Sequence, residues 1–153
     1  MPGYFIDTSA LAKLYHLEAG SPQMEALANS ADVRLIISQL SLIEIQSVFA
    51  TKVRTGVIDQ ATLEQLRGLF FADLAAGRFQ VVLVSRRYFR SAERLIRSHA
   101  VNHSLRTLDA LQLAVALELH RRGVVSELVA SDRNLCEVAV SEGLQVMNPL
   151  QMP

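Results

Sequence analysis

Along the whole of this 153-residue chain, short runs rich in β-branched and aromatic residues alternate with longer segments of helical periodicity. No other feature constrains the fold as tightly. Strand–helix–strand units close into a largely parallel sheet with helices on its faces. The strand runs are Tyr4-Phe5-Ile6, Val33 to Ser38, Gln80 to Val84, Glu127 to Ala130 and Gln145-Val146-Met147. Leu35-Ile36-Ile37 is continuously apolar, as expected of a strand covered on both faces. Between these runs the periodicity predicts helices over about Ser9 to His16, from Ser21-Pro22 with Ser as N-cap, over Ser41 to Thr55, and from Asp59 or Thr62 to Gly77. Three more are predicted over Ser85 to Ser98, Thr107 to Arg122 and Arg133 to Glu142. The segment Thr107 to Arg122 is apolar nearly all round and is expected to be central and buried. The pattern reads as an α/β sandwich with a mainly parallel sheet, in one domain over residues 1–153 without linker or repeat.

Composition narrows the function classes. Half the residues are hydrophobic, and 15 basic residues balance 15 acidic ones. Nucleic-acid binding would therefore rest on local charge placement, not on a global basic field. A single cysteine, Cys136, excludes a disulfide framework and a multi-cysteine zinc site. His99 and His103 stand four apart, a chelating spacing on a helix, but Asn102 and Ser104 point to a loop. No secretory signal and no apolar stretch of membrane-spanning length is visible, so the chain is expected to be soluble and cytoplasmic. Seven glycines, with no G-x-G-x-x-G or G-K-[ST], exclude the dinucleotide and P-loop fingerprints. A dehalogenase-type phosphatase normally needs a second Asp two residues after the first, where Ser9 stands. A receiver domain needs an acidic pair and a strand-end Lys, and neither is evident.

Four carboxylates fall at telling places. Asp7 follows the first strand run and Asp132 the fourth. Glu44 lies in the first helical turn after the second, and Asp109 opens the central helix. In a parallel sheet the carboxyl ends of the strands form one edge, where ligands bind. Each acid also has an ordinary account. Asp7 and Asp132 are suited to cap helices, and Ser41-Leu42-Ile43-Glu44 has the form of a capping box. Asp109 suits a helix dipole. Yet clustered, partly desolvated carboxylates repel unless cations neutralise them. Hard divalent ions such as Mg²⁺ or Mn²⁺ take such ligands.

With these residues in place, the chain resembles the PIN-domain family, and within it the VapC-like toxin ribonucleases of type II toxin–antitoxin pairs. The matching segments are Phe5 to Leu11, Ser41 to Ile45, Thr107 to Ala114 and Val129 to Leu135. The closing Gly143 to Val146 and Asn148-Pro149 also resemble the family. The residue before the fourth acid, commonly Thr in the family, is Ser131, which keeps the hydroxyl.

The resemblance implies a three-layer fold with a five-stranded parallel sheet. It further implies Mg²⁺ or Mn²⁺ as cofactor, RNA as substrate, a homodimer and a cognate antitoxin. On this reading Asp7 and Asp109 are the primary metal ligands. Glu44 and Asp132 bind directly or through water, and Thr8, Ser9 and Ser131 orient the carboxylates or cap helices. The alternative is a PIN-like RNA-binding or scaffolding domain that does not cleave.

Two further features bear on partners. Arg86, Arg90, Arg94 and Arg97 share one helix face, with Arg87 beside it, and suit phosphate contacts or a solvated surface. The segment Leu63 to Leu74, with Phe70 and Phe71, is expected in the core, with surplus apolar surface suited to a dimer or antitoxin groove.

Overall fold

The computed structural model describes residues 1–152; the domain expected from the sequence runs to Pro153, which lies outside the described residues. Among the described residues five strands form one sheet: β1 (Gly3–Ile6), β2 (Arg34–Ser38), β3 (Gln80–Val82), β4 (Glu127–Val129) and β5 (Gln145–Met147). All pair in parallel, in the order β3-β2-β1-β4-β5. The helices are α1 (Thr8–Leu11), α2 (Ser21–Ala28), α3 (Gln39–Arg54), α4 (Gln60–Ala75), α5 (Arg86–His99), α6 (Thr107–Arg121) and α7 (Arg133–Ser141), with one 3₁₀ turn over Ala12–Leu14. The expected α/β sandwich around a parallel five-stranded sheet is therefore what the chain forms.

Strand alternation divides the core in two. Phe5, Ile36 and Leu128 point to the face covered by α5, α6 and α7. Ile6, Leu35, Ile37 and Val129 point to the face covered by α1 to α4. Winding explains the division. The chain runs outward from β1 through β2 to β3, then crosses to β4 and continues to β5. Crossovers of one handedness place helices of the two halves on opposite faces. Each fully buried Ile, Leu or Phe contributes about 1.5–3 kcal/mol of transfer free energy, and this burial, more than local propensity, holds the layers together.

At the start of β1 the backbone of the loop before β4 comes very close. A Cβ on Gly3 would collide with the Val124 carbonyl oxygen and lie 3.2 Å from Ile36 Cδ1. Ser126 N donates to the Gly3 carbonyl at 2.7 Å across the same contact.

Several boundaries differ from the sequence reading. The first helix is one short turn followed by a 3₁₀ turn, because the chain must swing round at Glu18–Gly20 to reach α2. Gly20, at φ 90°, is the N-cap of α2, and Ser21 is already helical. The larger correction concerns α3. It begins at Gln39, and its N-cap is Ser38, whose side chain accepts from Leu40 N. Ser41 is therefore inside the helix and forms no capping box with Glu44. The backbone leaves β2 and turns helical at once, so the cap falls on the last strand residue.

Within the apolar segment Leu63 to Leu74, Leu63, Leu66 and Phe70 are buried, whereas Leu69 and Phe71 are exposed. Phe70 meets Tyr15 edge-on at 5.5 Å between ring centroids. The central helix α6 is buried continuously from Asp109 to Ala116, as its composition predicts. Among the described residues, no helix is long and apolar enough to cross a membrane.

Candidate functional site

Strand order places the site. The winding direction reverses between β1 and β4, which are neighbours. In an open parallel sheet the crevice at such a reversal, at the carboxyl ends of the strands, is where ligands bind. Asp7 leaves β1 there and Asp132 follows β4 closely. Asp7 N extends the ladder by donating to the Val129 carbonyl at 2.9 Å. The second turn of α3 brings Glu44, one turn later than the sequence reading placed it, and the first turn of α6 brings Asp109. All four acids line one cleft of about 640 Å³, with Thr8, Ser9, Ile43, Ser47, Val48, Arg106, Thr107 and Leu108.

Each carboxylate is held by donors of the chain. Asp7 is the N-cap of α1. Its Oδ2 accepts from Ser9 Oγ at 2.7 Å and from Ser9 N at 3.2 Å. Ser131 N donates to Ser9 Oγ at 3.1 Å, which ties the end of β4 to Asp7 through one hydroxyl. The Ser131 hydroxyl itself is buried with no partner among the described residues. Asp109 accepts at Oδ2 from Arg106 N at 3.1 Å and Arg106 Nε at 3.3 Å. Asp132 is the N-cap of α7 and accepts from Leu135 N at 2.9 Å. For Asp7 and Asp132 the capping account from the sequence therefore holds, and Asp109 lies in the first turn of α6 as its dipole account requires, accepting from the N-cap backbone; both accounts coexist with the place of these acids in the cleft.

Glu44 is held differently, from across the molecule. Its Oε1 accepts from Gln112 Nε2 at 2.7 Å and from Thr8 Oγ1 at 3.2 Å. Gln112 went unread in the sequence as one residue of an apolar helix. The available signal was its polarity in an otherwise apolar run, one turn after Asp109 on the same helix face.

The electrostatics are those of crowded acids. Burial pushes the Asp7 carboxyl up to about 6 against the hydrogen bonds from Ser9, and the charges of Glu44 and Asp109 add to the rise. Burial also raises Glu44, opposed by its bonds from Gln112 and Thr8. The Arg106 guanidinium is raised by its hydrogen bond and charge interaction with Asp109, with Asp132 and Glu44 adding. A carboxylate that costs this much to ionise favours a nearby cation. The ligand atoms are all oxygens, from carboxylates and hydroxyls, the set preferred by Mg²⁺ or Mn²⁺. The donor chemistry thus fits such an ion. In this conformation, however, no three acidic, thiol or imidazole groups among the described residues converge as one coordination centre. Each acid is turned instead to its own donor.

The other sequence candidates lie elsewhere. The arginine stripe is on α5, outside the acidic cleft, and it is not uniform. Arg94 pairs with Glu142 at 2.9 Å and Arg97 with Glu93 at 2.9 Å. Arg87 lies over the Tyr88 ring and 3.9 Å from Glu118. Arg86 and Arg90 line a separate open cleft of about 680 Å³ with Arg87, Phe89 and Ser91. Phe89 is 59% exposed there. His99 ends α5 as its last helical residue, so the predicted loop begins just after it. His99 faces Glu142 at 3.4 Å and His103 faces Glu137 at 3.3 Å, so the two do not act as a chelating pair.

The family model described as PIN domain matches residues 4–141. No curated protein matches the chain in sequence. Among solved structures, the chain is similar to VapC20 of Mycobacterium tuberculosis, described as a sarcin-ricin loop cleaving toxin. The identity is 18%, coverage is 92% of this chain and 95% of that one, and the TM-score is 0.65. It is similar to VapBC2 of Rickettsia felis, bound to a DNA fragment from its promoter, at 16% identity, 95% and 98% coverage, and TM-score 0.62. A toxin–antitoxin complex from Klebsiella pneumoniae is similar at 19% identity, 97% and 99% coverage, and TM-score 0.60. At such identities the likenesses speak to the fold.

Proposed function

The chain belongs to the PIN-domain family, and from that premise we propose that it is a metal-dependent endoribonuclease, the toxin of a toxin–antitoxin pair, folded as one PIN-like domain. The observation that carries the reading is the convergence of Asp7, Glu44, Asp109 and Asp132 on one cleft at the reversal point of the sheet. Helix capping explains three of these acids singly, but it does not explain why they share a cleft with a fourth whose burial disfavours its charge.

Asp7 and Asp109 would hold the principal Mg²⁺ or Mn²⁺ ion, with Glu44 and Asp132 engaged directly or through water. Such an ion supplies charge stabilisation to a phosphodiester and acidifies water as a nucleophile. The chain's own residues do the rest. Ser9 holds Asp7, Thr8 holds Glu44, and Ser131 N fixes Ser9, so the hydroxyls orient the carboxylates. Exposed Ile43 and Leu108 form apolar walls of the cleft.

Of the arginine stripe, only Arg86 and Arg90 make no ion pair among the described residues. With exposed Phe89 between them, they suit a phosphate and a stacked base of single-stranded RNA. Arg94 and Arg97 are already neutralised by glutamates. A cognate antitoxin accords with the toxin–antitoxin complex described for a similar structure, and a homodimer belongs to the same reading.

The test is RNA cleavage by folded protein with Mg²⁺ or Mn²⁺. Asp7→Asn and Asp109→Asn should each lower the rate by at least about a hundredfold, since each removes charge stabilisation of several kcal/mol. Cleavage at the unmodified rate would refute the assignment. The double variant Arg86→Ala/Arg90→Ala should weaken RNA binding and reduce its salt dependence. An unaltered salt slope would exclude these arginines.

One observation favours the non-cleaving alternative: each acid is already satisfied by a donor of the chain. Mn²⁺ titration separates the two readings, because a scaffold should bind the ion no better than Asp7→Asn does.

A further inference from the structure

Gln112 is 1% exposed, in the most apolar helix of the chain. Its amide is nevertheless fully engaged. Ser38 Oγ donates to Oε1 at 2.7 Å. Nε2 donates to Glu44 Oε1 at 2.7 Å and to Ser41 Oγ at 3.0 Å, and lies 3.4 Å from Thr8 Oγ1. The direction of this chain of bonds is imposed at both ends. Leu40 N donates to Ser38 Oγ at 3.1 Å, which orients that hydroxyl at the start of α3 and leaves its proton for Gln112. At the far end stands a carboxylate. A reversed amide would set an oxygen against it. The relay therefore runs from a backbone N–H, through a hydroxyl and an amide, to Glu44.

The consequence falls on the geometry of Glu44. Gln112 and Thr8 both act on Oε1, and among the described residues no donor reaches Oε2. The other three acids of the cleft are held by donors within three residues in sequence. Glu44 alone takes its donors from other helices, so its position reports the assembly of α1, α3 and α6. A Leu or Met at position 112 would fill the same space without desolvating an amide. A buried polar hub of this kind is retained where it fixes geometry, since a satisfied network rigidifies what it touches.

We propose that Gln112 is a positioning residue that locks Glu44 through Oε1 and leaves Oε2 as the one oxygen offered to the cleft. This rests on the reading above that the cleft binds a divalent cation. It assigns Glu44 a single-oxygen role, direct or water-bridged, set from the opposite side of the sheet.

Two measurements test it, both without RNA. In ¹⁵N-labelled, chelator-treated protein, the Gln112 side-chain amide protons should exchange slowly with solvent, and their signals should move in Glu44→Ala. An amide in free exchange, or one unmoved by Glu44→Ala, overturns the assignment. Second, calorimetric Mn²⁺ titration should show Gln112→Met binding about tenfold more weakly than the unmodified protein, the usual cost of losing a supporting partner of a ligand. In the Glu44→Ala background the same substitution should have almost no effect. An equal loss in both backgrounds, or no loss in either, overturns the proposal. Should Gln112→Met fail to fold, Thr8→Val removes the other bond to the same oxygen and takes its place in the cycle. If the unmodified protein binds no Mn²⁺, the metal reading of the cleft fails, and the amide signals then decide the Gln112 assignment by themselves.

Discussion

Replacing Asp7 by Asn should make the metal-free protein more stable while lowering the RNA cleavage proposed above. Asp7 is buried, and its carboxyl is raised from the ordinary 3.8 to about 6, by burial first and by Glu44 and Asp109 in addition. Between these two values the folded chain holds a proton that the unfolded chain has released. Stability therefore falls as pH rises from about 4 to 6, and above that range the full penalty is present. At about 1.36 kcal/mol per pH unit, the penalty is about 3 kcal/mol. Asn carries no charge, and it caps a helix as well as Asp does, so the bond from Ser9 N survives. Urea unfolding followed by circular dichroism, with chelator present, should show Asp7→Asn more stable at pH 7.5 by about 1–3 kcal/mol. For a chain of this size the midpoint temperature should rise by about 2–4 °C per kcal/mol. The two proteins should converge near pH 4, and Mn²⁺ should stabilise the unmodified protein alone. A variant less stable at pH 7.5, or a difference independent of pH, would refute the reasoning.

Three further outcomes are expected. Gly3→Ala should destabilise by about 1–3 kcal/mol or more, because the added methyl meets the Val124 carbonyl, and the urea midpoint reads this directly. Phe70→Ala should cost about 3–5 kcal/mol by the same assay, since the ring is fully buried against Tyr15 and Phe79. The Cys136 thiol is pushed up to about 11 by burial and the nearby Asp132 and Asp7 charges. At pH 8 about one thiol in a thousand is then ionised, so iodoacetamide should label the native protein far more slowly than the urea-unfolded one.

The legibility of the site divides by range. Asp7, Asp109 and Asp132 are legible because local chemistry puts each beside a strand end or helix start: Asp7 and Asp132 cap their helices, and Asp109 accepts from the N-cap backbone of α6. Glu44 lines the same cleft as the other acids, but neither its position in α3 nor its partner follows from the local pattern. A capping box from Ser41 is a short-range inference, whereas the true donor is Gln112, 68 residues away. The arginine stripe was likewise visible as a periodicity, but the pairing of Arg94 with Glu142 depends on α5 and α7 lying together on one face. The exposure of Leu69 and Phe71 beside buried Phe70 was also undecided by spacing alone, because it depends on which side of α4 meets α3 and the sheet.

By itself, the sequence determined the strand–helix alternation and the parallel sheet, and marked four acids as candidates for one site. These follow from periodicity, β-propensity and the chemistry of strand ends, all properties of residues near one another in the chain. Tertiary structure alone decided the strand order β3-β2-β1-β4-β5, and with it the reversal point that gathers the acids into one cleft. It also decided the Ser38–Gln112–Glu44 relay, whose members come from elements that meet only when α3 and α6 close over the end of the sheet. The reason is common to both: strand order and buried polar pairing are set by how whole elements pack, and no local pattern encodes which surfaces will face each other.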